Sequence, residues 1–398
     1  MVRPAVVFFG LALAAGAGAQ TLTPQDAMRQ AYANRPGMKA GRQRLEEARR
    51  LASASSAYPA TRLEAGKDIF NKTDVMGGAD LLVFQPIDIF GKTRSLHEQA
   101  NATIATALAT YRQSALDIQG QVLTAYANLA AAQRLLDVAN TQLQLASEAS
   151  NLTDKRVAAR DLPEIQSDRA RLDVEKAMQL VGDRQSAVSA ARLRLSSAVG
   201  SSDADKMTLT AIELPSTPPD ALKTLPELMS LTAAQAQAAA DRRVANQAYF
   251  PDLEIQAGRD SFNDVAAYGA RLQLTANLWD YGATRNKIRA ADARRKAAAN
   301  DLADKAASVQ KEVEAAKLEW EAAQRSVEAY EKLAASARHL LERTNKGFEL
   351  GASTLIDVLD ARKALADAQE LTVNAQLKRD LATEALLQAQ GTLLEEPR

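Results

Sequence analysis

The chain uses one unit twice. Residues Arg62 to Asn71 read RLEAGKDIFN and residues Glu254 to Asn263 read EIQAGRDSFN, a match at a constant offset of 192. One residue is lost in the loop that follows, and an offset of 191 then pairs Phe90-Gly91 with Tyr281-Gly282, Thr93-Arg94 with Thr284-Arg285 and Ala170-Arg171 with Ala361-Arg362. The fold must therefore accommodate a duplicated element of about 190 residues, a period too long for solenoids and propellers.

Composition narrows the setting. Residues 1–19 carry Arg3, an apolar run from Ala5 to Ala15 and the small residues Ala17-Gly18-Ala19, the pattern of a cleavable signal peptide with a mature start at Gln20. Without Arg3 the chain has 48 basic and 49 acidic residues, so its overall balance gives no support to nucleic-acid binding. It has no cysteine, which excludes disulfides, thiolate chemistry and an acylated N-terminal Cys anchor. After the leader, no stretch approaches the roughly 20 apolar residues of a membrane helix, so a bilayer would have to be crossed by strands.

Two windows, residues 58–91 and 249–282, hold ten of the eighteen aromatic residues, and within them the hydrophobic period changes from helical to two. Tyr268, Ala270, Leu272, Leu274, Ala276 and Leu278 form one face, and Arg271, Gln273, Thr275 and Asn277 the other. Leu253, Ile255 and Ala257 alternate in the same way with Glu254, Gln256 and Asp260. Each window predicts a β-hairpin with strands of about ten residues, the length of a tilted membrane strand. On that reading Leu272, Leu274 and Leu278 face lipid, and Phe90, Trp279 and Tyr281 sit at the membrane interface. Ordinary half-buried hairpins on a soluble domain show the same alternation. Two hairpins cannot close a barrel, so a membrane role demands that several copies each donate four strands.

Elsewhere the chain is rich in Ala, Gln, Leu and Arg and sparse in Gly and Pro, which favours long helices. Ile118, Val122, Ala125, Leu129, Ala132, Leu136, Ala139, Leu143 and Ala146 step by four and three, and Val309, Val313, Ala316, Trp320, Ala323, Val327, Tyr330, Ala334 and Ala337 repeat the pattern 191 residues later. A seven-residue repeat this long predicts supercoiled helices. Lys92–Ala159 and Ala283–Leu350 are each 68 residues, on the order of 100 Å at 1.5 Å per residue. Turns follow at Arg160-Asp161-Leu162-Pro163 and Gly351-Ala352-Ser353-Thr354, then return helices over about Glu164–Gly200 and Thr354–Gln390. Helices over about Pro24–Ala57 and Thr224–Ala248 lead into the two hairpins. The expected organisation is a leader (1–19), a first repeat (20–200, with its hairpin at 58–91 and tip near 160–163), a Pro- and Ser-rich linker (201–223) and a second repeat (224–398, with its hairpin at 249–282 and tip near 351–354).

This arrangement resembles the TolC-type outer-membrane efflux family, most specifically in the hairpin exits FQPIDIFGKTRS and LTANLWDYGATRN and the tail motif LGASTLIDVLDARKALADAQ. The resemblance implies a mainly α fold with a small β part: a long coiled-coil helical barrel plus four strands per subunit, completing a twelve-stranded membrane barrel in a homotrimer. It implies an outer-membrane exit duct, mostly periplasmic, that contacts lipid and exports small molecules passively with a periplasmic adaptor and an inner-membrane pump, in a tripartite efflux or type I secretion system. It places Asp357 and Asp360 at a constricted tunnel mouth, and the turns Arg160, Asp161, Leu162, Pro163 and Gly351, Ala352, Ser353, Thr354 at the adaptor-docking tip. Thr354-Leu355-Ile356-Asp357 also fits a helix capping box. The chain departs from the family at Gln166, where a further Asp is frequent, and at Ser353, where Arg can stand.

No catalytic constellation is visible. His97 and His339 stand without a second ligand at metal spacing, and neither a phosphate-binding glycine loop nor a nucleophile motif occurs. The sequence therefore predicts a non-enzyme without cofactor or metal. A periplasmic coiled-coil scaffold or adaptor without a channel is the alternative, consistent with the heptads but not with the duplicated amphipathic hairpins.

Overall fold

The computed structural model describes residues 21–67, 79–200, 208–209, 225–260, 267–276 and 279–397. The leader, both hairpin loops, most of the linker and Leu278 lie outside them. The described elements are β1 (Thr21–Leu22), α1 (Pro24–Asn34), α2 (Pro36–Ser55), β2 (Arg62–Lys67), β3 (Ala79–Ile87), α3 (Lys92–Ala158), α4 (Glu164–Val199), β4 (Thr208–Leu209), α5 (Pro226–Gln247), β5 (Asp252–Asp260), β6 (Ala267–Thr275), α6 (Ala283–Glu349) and α7 (Leu355–Ala389). The two long helices, α3 and α6, have 67 residues each.

One helix departs from expectation. The helix expected over Pro24–Ala57 is two helices, because Pro36 cannot donate a backbone hydrogen bond and restrains the residue before it to extended conformations. Arg35 accordingly has φ −69° and ψ 126°, and Pro36 opens α2.

The described residues form two compact units, each made of three chain segments, with α3 and α6 contributing to both. One unit takes the segments up to Asn34, Gln121–Glu213 and Gln324–Leu381. Its short β1 and β4 pair in parallel. Its core is the heptad seam: Ala337 and Leu341 of α6 meet Ala361, Leu365 and Ala368 of α7, with Leu145 of α3 packed on them. Ion pairs tie α4 to α7, with Arg362 Nη1 at 2.7 Å from Asp173 Oδ2 and Arg184 Nη2 at 2.8 Å from Glu370 Oε1.

The other unit takes Arg35–Gly120, Leu214–Ala323 and the segment from Ala382. Leu225 and Leu228 pack on Val309, the first member of the second heptad series. Buried Gln119 donates to the Thr392 carbonyl at 2.7 Å and accepts from the Leu394 backbone N–H at 2.7 Å, which ties down the chain after α7. Trp320, a seam residue, donates its indole N–H to Thr383 Oγ1 at 3.1 Å. This unit also carries the larger sheet.

Candidate functional site

The four strands of that sheet run in the order β2-β3-β5-β6, all antiparallel, so the junction β3-β5 joins the two repeats. Its register keeps the sequence alternation in phase across the repeats. Leu63 faces Val83, Val83 faces Ala257, Ile255 faces Leu272 and Leu253 faces Leu274. Directly opposed residues in a ladder share a face, so these side chains form an apolar surface, interrupted on β3 by Gln85 opposite Ile255. That surface is open, with Leu272 65% and Leu274 61% exposed.

The opposite face carries the sheet's internally bonded polar side chains, with Leu82 and buried Phe84 among them. Arg271 Nε donates to Gln256 Oε1 at 2.6 Å, and Gln256 Nε2 donates to Gln273 Oε1 at 2.5 Å. Arg62 pairs with Glu254 at 2.9 Å and lies 5.6 Å over the ring of Phe84, so the first strand of one hairpin is bonded to the first strand of the other. Among the described residues, β2 pairs only with β3 and β6 only with β5, which leaves each outer strand one unpaired edge.

Two aspartates unremarked in the sequence reading shape the exits from the sheet. Asp88 accepts from the backbone N–H groups of Lys92 and Thr93 at 2.8 and 2.6 Å, and Asp280 from those of Gly282 and Thr284 at 3.0 and 2.7 Å. Both cap the N-terminus of a 67-residue helix, where the first four N–H groups have no intrahelical partner. Their signal, Asp two or three residues before Gly-x-Thr-Arg, stands in both repeats. Of the interfacial aromatics, Trp279 and Tyr281 are 82% and 101% exposed, whereas Phe90 stacks on Phe250 at 5.0 Å.

The two helical turns meet in the other unit. At the first, Arg160 has φ 64°, Arg160 N–H bonds the Val157 carbonyl and Asp161 N–H bonds the Arg156 carbonyl. At the second, Gly351 has φ 75°, Gly351 N–H bonds the Phe348 carbonyl and Ala352 N–H bonds the Gly347 carbonyl. Both are Schellman caps, with Arg160 at the left-handed position that its counterpart fills with glycine. Phe348, Leu162 and Leu355 share one apolar cluster. Arg156 reaches across, donating to the Phe348 carbonyl at 2.8 Å and lying 4.8 Å over its ring.

Left-handed backbone costs a non-glycine residue about 1–2 kcal/mol, while a glycine adds about 0.4–1 kcal/mol of unfolded-chain entropy. Arg160→Gly is therefore expected to slow amide exchange around residues 156–161 by a net gain of about 0–1.6 kcal/mol. Faster exchange there would mean that the arginine side chain itself holds the turn.

Asp357 is exposed and held in a capping box. Its Oδ2 accepts from Thr354 N–H at 2.8 Å and Thr354 Oγ1–H at 2.7 Å, while Asp357 N–H bonds Thr354 Oγ1 at 3.3 Å. The Thr354 side-chain and backbone hydrogen bonds hold its carboxyl below the usual range. Asp360, one turn on, is also exposed and lines a surface cavity of about 410 Å³ with Asp173, Lys176, Lys363 and Glu370. Ser353 is half-buried, with its Oγ close enough to Gly347 that any side chain there would collide. Leu162 is half-buried, and the remaining turn residues Asp161, Pro163 and Ala352 are exposed.

A family model described as outer membrane efflux protein matches the chain twice, over residues 27–201 and 217–392. The chain belongs to the outer membrane efflux protein family. The double match is the duplication seen in the sequence. It is 34% identical over 137 residues to the outer membrane protein TolC of Vibrio cholerae, a match covering 34% of this chain and 31% of that protein. It is 25% identical over 299 residues to the cobalt-zinc-cadmium resistance protein CzcC of Cupriavidus metallidurans, covering 71% of this chain and 70% of that one. Among solved structures, CusC, described as forming a transmembrane channel, superposes with a TM-score of 0.74 at 20% identity over 98% of both chains. The fold is thus that of a known membrane channel.

Among the described residues no helix is long and apolar enough to cross a membrane. Nor do the described residues contain a group of three or more His, Asp or Glu able to hold a metal ion.

Proposed function

We propose that this chain is the outer-membrane exit duct of an efflux assembly, working as a homotrimer whose subunits each insert four strands into one closed barrel. The carrying observation is the sheet, apolar and exposed on one face, hydrogen-bonded and polar on the other, with an unpaired edge at each side. In lipid an open edge leaves backbone groups without partners, and a head-to-tail ring of copies removes both edges. The apolar face then meets lipid and the polar face lines water. Leu272 and Leu274 are lipid-facing, and Trp279, Tyr281 and Phe90 mark the interface. A periplasmic scaffold gives such a face no use. The turns, with Leu162 and Ser353 half-buried and Arg160, Asp161, Pro163, Gly351, Ala352 and Thr354 outward, dock a periplasmic adaptor, and an inner-membrane pump supplies the energy.

Fractionation tests the reading. The protein should sediment with outer membranes and migrate as a trimer that heat dissociates, whereas a soluble periplasmic monomer would overturn it. Asp357 and Asp360 serve this duct as a carboxylate ring at the tunnel mouth, Asp357 capping its helix as well. In planar bilayers Asp360→Asn is expected to lower the preference for cations and weaken block by divalent ions. An unchanged reversal potential would take these carboxylates out of the lumen.

A further inference from the structure

The start of α6 is charged against expectation. From Thr284 to Lys296 the chain has six basic residues and one acid, in a protein with no net charge. A helix N-terminus carries the positive end of the macrodipole and favours acids there, yet the first turn of α6 has none. Arg285, Lys287 and Arg289 are exposed. Among the described residues none of the three has a side-chain hydrogen bond or ion pair. The neighbouring acids are already engaged within the chain: Asp292 with Arg242 at 2.6 Å, Asp252 with Lys92 at 3.2 Å, Glu98 with Arg243, and Asp280 with the helix cap.

We propose that Arg285, Lys287 and Arg289 form a docking surface for anionic phospholipid headgroups in the leaflet that the sheet enters, an inference that rests on the membrane reading above. Position supports it. The three residues follow the exposed Trp279 and Tyr281 and lie about 3, 6 and 9 Å along the axis from Ala283, at 1.5 Å per residue. The polar zone of a bilayer is on the order of 5–8 Å deep on each side, so their cationic ends reach phosphate while their stems lie against the aromatic belt. Azimuth supports it too. Lys287 stands roughly 200° around the helix from Arg285, so a neighbouring subunit that covers one side leaves basic charge on the other. The one acid of this segment, Asp292, is half-buried, lies a further turn away and is paired with Arg242 and Arg295.

The test reconstitutes the full-length protein into vesicles of phosphatidylethanolamine, alone or mixed with phosphatidylglycerol, and measures by native mass spectrometry which lipid stays bound after detergent extraction. Each basic side chain beside an anionic surface is worth about a fivefold gain in partitioning. Phosphatidylglycerol should therefore be retained above its bulk share, and the triple variant Arg285→Gln/Lys287→Gln/Arg289→Gln should lose that preference by on the order of tenfold or more. A charge-keeping variant, Arg285→Lys/Arg289→Lys, should retain it, and high salt should erase it. Circular dichroism verifies that the exposed substitutions leave the helices intact. Retention at the bulk lipid ratio, or enrichment that survives the triple variant, overturns the proposal. Enrichment stripped by inorganic phosphate but not by chloride at equal ionic strength would reassign the surface to free anions. Failure to insert into either vesicle would instead bring down the membrane reading itself.

Discussion

Leu274→Arg is expected to block assembly in the membrane while leaving the helices intact. Leu274 lies opposite Leu253 on the apolar face and is 61% exposed, so the substitution breaks no buried packing within the chain. In water the change would be nearly silent. On the lipid face of a barrel, an Arg near the bilayer midplane costs about 2–4 kcal/mol, enough to move the equilibrium by on the order of 30- to 1,000-fold. Leu272→Arg, opposite Ile255, should behave alike. Gln273→Glu lies between them on the polar face, where Arg271 and Gln256 already bond, and should be tolerated. The measurement is the heat-sensitive oligomer recovered in the outer-membrane fraction. Normal recovery of Leu274→Arg beside loss of Gln273→Glu would invert the two faces.

Gly258→Ala is expected to open the junction between the repeats. Gly258 pairs with Leu82, and a Cβ at that position would stand far inside van der Waals contact of the Leu81 carbonyl oxygen, a backbone atom that cannot rotate away. Its φ of 155° adds strain for any side chain. Overpacking and backbone strain together predict a loss of about 3 kcal/mol, concentrated in the β3-β5 ladder. Gly269 is the control, because it lies directly opposite Gly258 on the other neighbour yet has nothing within 4 Å of its would-be Cβ. Gly269→Ala should assemble normally. The heat dissociation temperature of the oligomer reports both, and equal behaviour of the two variants would mean that β3 and β5 can slide apart without cost.

Much of this was legible in the chain. The long helices were expected over Lys92–Ala159 and Ala283–Leu350 and run over Lys92–Ala158 and Ala283–Glu349, because the heptad is unbroken until the turn residues. Asp357 could be read as a cap from the spacing Thr-x-x-Asp, a local signal for a local bond. The split at Arg35 was missed because the apolar period continues across Pro36 and hides the break. The last strand was expected to reach Leu278, yet β6 ends at Thr275 among the described residues. Its partner β5 begins at Asp252, which pairs with Thr275, and Pro251 before it has no N–H to extend the ladder.

Other features had no signal that one sequence could carry. Arg156 bonds a carbonyl 192 residues away, at a point where the second repeat has Gly347 instead of a matching arginine. Duplication therefore predicts the turn but not the bridge across it. The Arg62–Glu254 pair likewise joins residues from different repeats.

Sequence by itself determined which side chains share a face, because strand and helix periods are fixed by backbone geometry and need no partner. It also set the helix lengths and stops, since Gly, Pro and capping residues act within a turn of where they stand. Only the tertiary structure decided which strand lies beside which, that the two hairpins join through β3 and β5 at the spot where Gly258 admits the Leu81 carbonyl, and that β2 and β6 keep open edges among the described residues. Pairing across nearly 200 residues depends on register and close contact, and those exist only once the backbones have met.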